Sequence, residues 1–331
     1  MACTTHAGHG PNIGHGYVKY VIIDRQGNEL PPVVFPALIG RAGRRVTGAI
    51  GRAATVSAGG AQWWTGEDAL LSPAPLNILA QERLSDPAFV PALVRGAVDR
   101  FGTLNGSSGG MCVTGLPATW ASDPTKARAL GAHLREAWSG YSGIRVIPEP
   151  LGLVYAETLD NHGQVTGDPA LLEGQVAVVD LGHHTVDIAV LRRMIPVPTS
   201  LATYQLGTAR PLQQIGGHLS AAFERELTLY EADQAVRAQA LLIAGQPRTL
   251  PAGWDRPLLQ NGEAIAARLV ETWGSGAQFD AILIGGGGAE VEPLVASIQK
   301  RFAHAQAVAQ PQTAIARGYA RLARRLAGAA G

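Results

Sequence analysis

The chain of 331 residues carries 27 Lys plus Arg against 26 Asp plus Glu, a formal charge of +1, and a near-neutral chain has no overall field with which to hold nucleic acid or an anionic membrane. Two cysteines, Cys3 and Cys112, exclude a disulfide framework and read as reduced thiols, and no apolar run of about 18 residues is present to cross a bilayer. With 46% hydrophobic and 16% charged residues the sequence is that of a globular chain, and its length predicts two lobes or one large composite domain.

Residues 1–11 are rich in Gly, His and Thr and read as a loose end. They have neither the basic start nor the apolar stretch of a signal peptide, so a cytoplasmic location is expected. Tyr17 to Asp24 is β-branched and aromatic, closes on Arg25-Gln26-Gly27-Asn28, and with residues 29–36 predicts a hairpin. Gly40 to Gly66 has the pattern of an irregular insertion with short strands. Residues 88–101 have helical spacing, and Asn105–Gly110 reads as a surface linker. Met111–Pro117 predicts a short buried strand. Asp123 followed by Pro124 is a helix start, an acceptor at the N-cap and proline at the first helical position, with Leu130, Leu134 and Trp138 on one face. A strand at 145–147 leads into a helix that opens at Glu149-Pro150 and runs to about Thr158. Strands are expected at 176–181 and 185–191. Helices are expected at 216–230, 231–243, 260–273, 290–302 and 313–327, with a strand at 281–284. Strands and helices alternate, so the class is α/β. A strand–glycine turn–strand unit at 12–24 recurs at 176–191.

Four segments carry chemistry. Asp180-Leu181-Gly182-His183-His184-Thr185 delivers a carboxylate at the end of an apolar strand and then a tight glycine turn. Exposed backbone N–H groups there suit phosphate oxygens, and Asp180 suits a Mg²⁺ held through water; a plain hairpin with a surface Asp is the bland alternative. Asn12-Ile13-Gly14-His15-Gly16-Tyr17-Val18-Lys19 repeats the device, with Lys19 either a point charge for phosphate or a solvated strand lysine. Ile284-Gly285-Gly286-Gly287-Gly288 lets backbone approach a base or phosphate at the end of a core strand, or is a flexible loop. Glu149, in the first turn of its helix, either balances the helix dipole or activates a water. His183 and His184 lack a carboxylate or Cys at metal-ligand spacing, and His6, His9 and His15 read as loop residues. The arginines of the last helix, Arg317, Arg321, Arg324 and Arg325, make a solvated basic face or a contact to DNA or an acidic partner.

In order and spacing these segments resemble the actin-like ATPase superfamily, and Val113–Pro117 with Gln310–Tyr319 look like its ParM and archaeal/plasmid actin-like group. The resemblance implies an actin-like (ribonuclease H-like) fold of two lobes with a nucleotide cleft between them. Lobe I would be residues 1–180 and 315–331, with an insertion over about 33–105; lobe II would be 181–314, with an insertion over about 216–275. The cofactors would be ATP or ADP with Mg²⁺. Asp180 would hold the Mg²⁺ shell and the lytic water, and Glu149 would orient that water. Asn12, Gly14, Gly16, Lys19, Gly182 and Thr185 would line the phosphates, and Gly285, Gly286 and Gly287 the adenosine. Residues 149–156 and 311–319 would be the connecting helices.

The sequence departs from the family where the first loop normally begins with Asp. An amide at Asn12 supplies no negative charge for Mg²⁺, so lower metal affinity or slower hydrolysis is expected. The implied function is a cytoplasmic filament-forming ATPase that segregates plasmid DNA or organises cargo. It would associate with itself and reach DNA through an adaptor, without strong direct nucleic-acid binding and without a membrane. A low-turnover nucleotide-binding scaffold and a small-molecule kinase are the alternatives on the same fold.

Overall fold

A computed structural model of the chain describes residues 7–43, 53–78, 81–102 and 110–329. Cys3, His6, residues 44–52 of the insertion and residues 105–109 of the expected linker lie outside the described residues. The chain divides into two compact units, residues 1–168 with 313–331 and residues 169–312. The sequence-based boundaries were 180/181 and 314/315. The first moves to 168/169 because strand 175–181 pairs along its length inside the second unit.

In unit one, β1 (Gly8–Ile13) lies at the centre of a sheet ordered β3-β2-β1-β7-β8. Its partners are β2 (Tyr17–Ile23) and β3 (Val33–Pro36) on one side, and β7 (Gly110–Leu116) and β8 (Tyr141–Pro148) on the other. Residues 8–11 are therefore core strand and not a loose end. Their polarity misleads because glycine is required by packing: a Cβ at Gly8 or Gly10 would come within 2.3 or 2.0 Å of the carbonyls of Ala320 or Ala316 in the last helix. His9 is likewise no loop residue. It is buried against Trp138 and Tyr141 and bonds through Nδ1 to the Tyr20 hydroxyl at 3.0 Å. Trp138 sits one position past its helix, in extended backbone, and packs on Tyr141.

The insertion contains β4 (Ile39–Arg41), β5 (Val56–Ala58) and β6 (Ala61–Thr65), ordered β4-β6-β5, followed by α1 (Phe89–Arg100). After β7 come α2 (Ala118–Ala121) and α3 (Pro124–Ala137), whose start is capped as expected by the Asp123 side chain accepting from the Thr125 amide. α4 (Leu151–Thr158) follows β8.

Unit two opens with α5 (Pro169–Glu173) and builds a sheet ordered β11-β10-β9-β15-β16, with β12 on β10. Here β9 is Gln175–Leu181, β10 Val186–Arg192, β11 Ile195–Pro196 and β12 Ala202–Tyr204. Then come α6 (Ala209–Ala222), α7 (Leu229–Ala238), β13 (Ala240–Ile243), β14 (Gln246–Thr249) and α8 (Arg256–Trp273). β15 (Ala281–Gly285), α9 (Glu292–Gln299) and β16 (Ala305–Ala307) complete the unit. The helix expected over 231–243 is broken. Gln239 takes a left-handed φ of 51° that ends α7, and Ala244-Gly245, at φ 48° and 77°, turns the chain back into a β13–β14 hairpin.

The last helix, α10 (Pro311–Ala329), buries Ala316 and Ala320 against Val21 and Ile23 in unit one. It touches α4 backbone to backbone, where a Cβ at Gly318 would meet the Gly152 carbonyl at 1.8 Å. Its arginines serve the fold. Arg317 makes a bidentate bond to Glu29, Arg321 reaches Asn161 and the Ala156 carbonyl, and Arg324 and Arg325 reach the carbonyls of Arg25 and Gly163.

The two sheets share one plan. In each, three antiparallel strands are followed by two parallel ones added on the far side of the first strand. The weak sequence echo between 12–24 and 176–191 is this repeat.

Candidate functional site

Because the plan repeats, each unit carries a four-residue turn at the same register. In unit one Ile13 pairs with Val18 and Asn12 with Lys19; in unit two Leu181 pairs with Val186 and Asp180 with Asp187. Asn12 and Asp180 are thus equivalent, each the penultimate residue of its strand. Gly14 and Gly182 are equivalent too. A Cβ on Gly14 would lie 2.8 Å from the Tyr17 carbonyl, and one on Gly182 would lie 2.7 Å from that of Thr185. These glycines are demanded by the turns themselves, whatever binds there.

Unit one brings Asn12, Gly14, Gly16, Lys19 and Glu149 together. Asn12 is 4% exposed; Lys19 donates to its Oδ1 at 3.2 Å, and its Nδ2 donates to Glu149 Oε1 at 3.2 Å. Glu149 is 8% exposed and stands just before α4, with its Cγ 3.0 Å from where a Cβ on Gly115 would be. The amide serves this pair of neighbours with both its ends, the nitrogen as donor and the oxygen as acceptor. Two further residues, Asn77 and Arg83, reach this turn from the insertion and carry no motif that sequence reasoning detects. Arg83 is 4% exposed, and burial pulls its guanidinium down to about 10, against the opposing charge of Glu149. It remains cationic at neutral pH.

Unit two brings Asp180, Gly182, Thr185, Gly285, Gly286 and Gly287 together. Asp180 is 5% exposed and is the Cα partner of both Gly285 and Asp187. Gly286 has φ 82°, and a Cβ there would strike Asp180 Oδ1 at 2.1 Å, so both its backbone and its neighbour require glycine. Gly288 is crowded as well, by Leu181 at 2.9 Å. Gly287 differs: its nearest neighbours would be 3.6 and 3.9 Å from a Cβ, ordinary contact distances. Nothing in the protein demands glycine at 287. Arg237 of α7 pins this bend by donating to the Gly287 carbonyl and pairing with Glu290 and Asp233. The Thr185 hydroxyl donates its proton to Asp187 at 2.7 Å, so that proton is not offered to a ligand. His183 Nδ1 lies 3.4 Å from the Thr208 hydroxyl.

Magnesium, which the sequence resemblance implies, fits unit two better than unit one. Asp180 is a hard carboxylate donor beside an anion-shaped turn, and Mg²⁺ is usually held by one or two carboxylates with water and phosphate oxygens. Asn12 is neutral and already bonded at both ends of its amide. Among the described residues no group of three or more His, Cys, Asp or Glu gathers to hold a metal, and no helix is long and apolar enough to cross a membrane.

No protein-family model and no curated protein sequence matches the chain. Solved structures do. An archaeal actin homologue superposes with a TM-score of 0.72 at 16% identity, covering 99% of this chain and 100% of that one. The apo psk41 ParM protein gives 0.69 at 16%, covering 98% and 99%. A ParM from Clostridium botulinum, solved as a 15-stranded filament, gives 0.68 at 18%, covering 97% and 100%. The archaeal homologue has also been solved with ADP, at a TM-score of 0.67 and 16% identity, covering 97% of this chain and 100% of that one. At such identities the likeness speaks for the path of the chain, and that path is the actin-like fold expected from the sequence.

Proposed function

We propose that this chain is an actin-like ATPase of modest turnover that assembles into filaments in the cytoplasm. The observation that carries the proposal is the doubled turn: two sheets of one plan present a glycine turn at one register, with Asn12 and Lys19 on the first and Asp180 on the second. Each turn presents backbone amides of the kind that suit phosphate oxygens. The bend at Gly285–Gly287, uncrowded at 287, suits the adenosine. The neighbour solved as a filament and the one solved with ADP support self-association and nucleotide binding.

In this proposal the turn amides and Lys19 hold the phosphates, and Asp180 holds the hydration shell of the metal. Mg²⁺, when bound, neutralises charge on the terminal phosphates. Glu149 accepts a hydrogen bond from the attacking water and orients it. Asn12 fixes the Glu149 carboxylate by donating to Oε1. ATP would favour the assembling conformation, and hydrolysis would weaken contacts between subunits. DNA or other cargo would be reached through an adaptor, since net charge gives no field for direct binding.

ATP-dependent sedimentation with Mg²⁺ tests assembly. The proposal predicts a pellet that grows with ATP and protein concentration; no pellet at any concentration would refute it. Phosphate release that is equal in wild type and Asp180→Ala would remove Asp180 from the mechanism. The neutral amide at position 12 also favours a second reading, a scaffold that binds nucleotide and turns it over very slowly; filaments that form with ATP but persist without phosphate release would select it.

A further inference from the structure

Four consecutive carbonyls of the first glycine turn are anchored. Arg83 Nη2 donates to the oxygens of Ile13 at 2.9 Å and Gly14 at 3.3 Å, Asn77 Nδ2 donates to that of His15 at 3.1 Å, and the Ala37 amide donates to that of Gly16 at 2.9 Å. In unit two the carbonyls equivalent to 14, 15 and 16 are anchored as well, but by backbone. Gly182, His183 and His184 accept from the amides of Thr208 (3.2 Å), Ala209 (2.7 Å) and Gly207 (3.3 Å), the residues that lead into α6. Unit one has no helix start at that place, because β3 runs on into the insertion; two side chains of the insertion stand in for it.

The consequence follows from peptide geometry. In a trans peptide plane the C=O of one residue and the N–H of the next point opposite ways. Holding the carbonyls of 13–16 therefore fixes the direction of the N–H groups of 14–17, each aimed away from its carbonyl's anchor. A buried guanidinium is a costly way to bond neutral carbonyls unless its charge or its fork is used. Here it bridges two successive oxygens, lies over the Phe89 ring at 5.5 Å and keeps its charge behind the turn.

We propose that Asn77 and Arg83 are positioning residues for phosphate recognition: they hold the carbonyls of the 13–15 segment so that the amides of 14–17 face the phosphates of a bound nucleotide. The inference rests on the nucleotide-binding proposal and extends it to the insertion, whose Asn77 and Arg83 set the shape of the first turn. It also separates two parts of affinity. The amides of 14–17 serve phosphate and not the base, so losing their anchors weakens ADP and leaves adenosine alone.

The test is a calorimetric titration of ADP and of adenosine into the full chain as wild type, Asn77→Asp and Arg83→Lys, with melting curves to confirm the fold. Asn77→Asp replaces the donor to His15 with a repelling carboxylate. Arg83→Lys keeps the charge but shortens the side chain, so the one nitrogen that bridges the two carbonyls, Nη2, is withdrawn from them. Each is expected to raise the Kd for ADP about tenfold, as loss of a buried, aligned hydrogen bond does, with adenosine unchanged. Equal losses for ADP and adenosine, or no loss for ADP in either variant, would overturn the inference while leaving nucleotide binding intact. A wild type that binds neither compound would overturn the nucleotide proposal and this inference with it.

Discussion

Replacing Asn12 with Asp gives the first turn the carboxylate found at its start in the family the sequence resembles, and its effect can be worked out from three side chains. At 3.2 Å the amide nitrogen donates to Glu149, and at 3.2 Å the amide oxygen accepts from Lys19. Asn12→Asp keeps the second bond and strengthens it by charge. It turns the first into two carboxylates face to face, at positions only 4% and 8% exposed. With an effective dielectric constant near 20, a unit charge pair at that separation is worth about 5 kcal/mol, repulsive toward Glu149 and attractive toward Lys19, so the two roughly cancel. What remains is the lost hydrogen bond and the desolvation of a new charge, about 2–4 kcal/mol against the folded state. The expected result in urea unfolding is a loss of that size at pH 8. It should shrink as the solution is made more acidic, because two facing buried carboxylates take up a proton before the unfolded chain does. Magnesium with ATP should restore more stability to the variant than to wild type, and the metal-dependent rate of phosphate release should rise. An Asn12→Asp protein as stable as wild type at pH 8, and indifferent to Mg²⁺, would refute the bridge.

The two central glycines of the bend proposed to meet adenosine, Gly286 and Gly287, should respond differently. Gly286→Ala meets both a positive φ and the Asp180 carboxylate, and should cost more than about 1 kcal/mol in unfolding experiments. Gly287→Ala should melt like wild type yet bind ADP about tenfold more weakly, as a methyl group intrudes where the proposed ligand lies. Arg317→Ala should destabilise the protein by about 2 kcal/mol by breaking the half-buried bidentate bond to Glu29, and should leave DNA retention on a filter unchanged. His9 is held neutral, because burial lowers its pKa from 6.5 to about 4. Between those values the unfolded chain takes up a proton that the folded chain refuses, so stability falls as pH drops from 6.5 toward 4, by about 3 kcal/mol in all. His9→Phe should remove that part of the slope in urea midpoints measured across the range; an unchanged slope would show that His9 does not set it.

Much of the fold was legible because its signals are local. The Asp123-Pro124 start, the apolar strands at 176–191 and 281–285, and the glycine turns each announce themselves within a few residues. The misses have a common cause in distant partners. β1 looks like a tail because Gly8 and Gly10 are selected by the carbonyls of a helix about three hundred positions later, not by strand propensity. The β13–β14 hairpin hides inside an apolar run, Leu241-Leu242-Ile243, that a helix or a strand satisfies equally well. The capping box Thr228–Glu231 was a readable signal for the start of α7 at 229. For the candidate site, Asn12, Glu149, Asp180 and the glycines stand out by residue type and position. Asn77 and Arg83 do not, since one asparagine and one arginine in an insertion have no pattern until the carbonyls they hold are known.

Amide hydrogen exchange on the full chain, with and without ATP, reads the two glycine turns at once. The account predicts that ATP slows exchange in residues 14–17 and in residues 183–185 together, while adenosine slows neither; the Gly182 amide is already held by the Thr185 carbonyl. Protection of one turn alone, or of neither at saturating ATP, would contradict the claim that both bind the phosphates of a nucleotide.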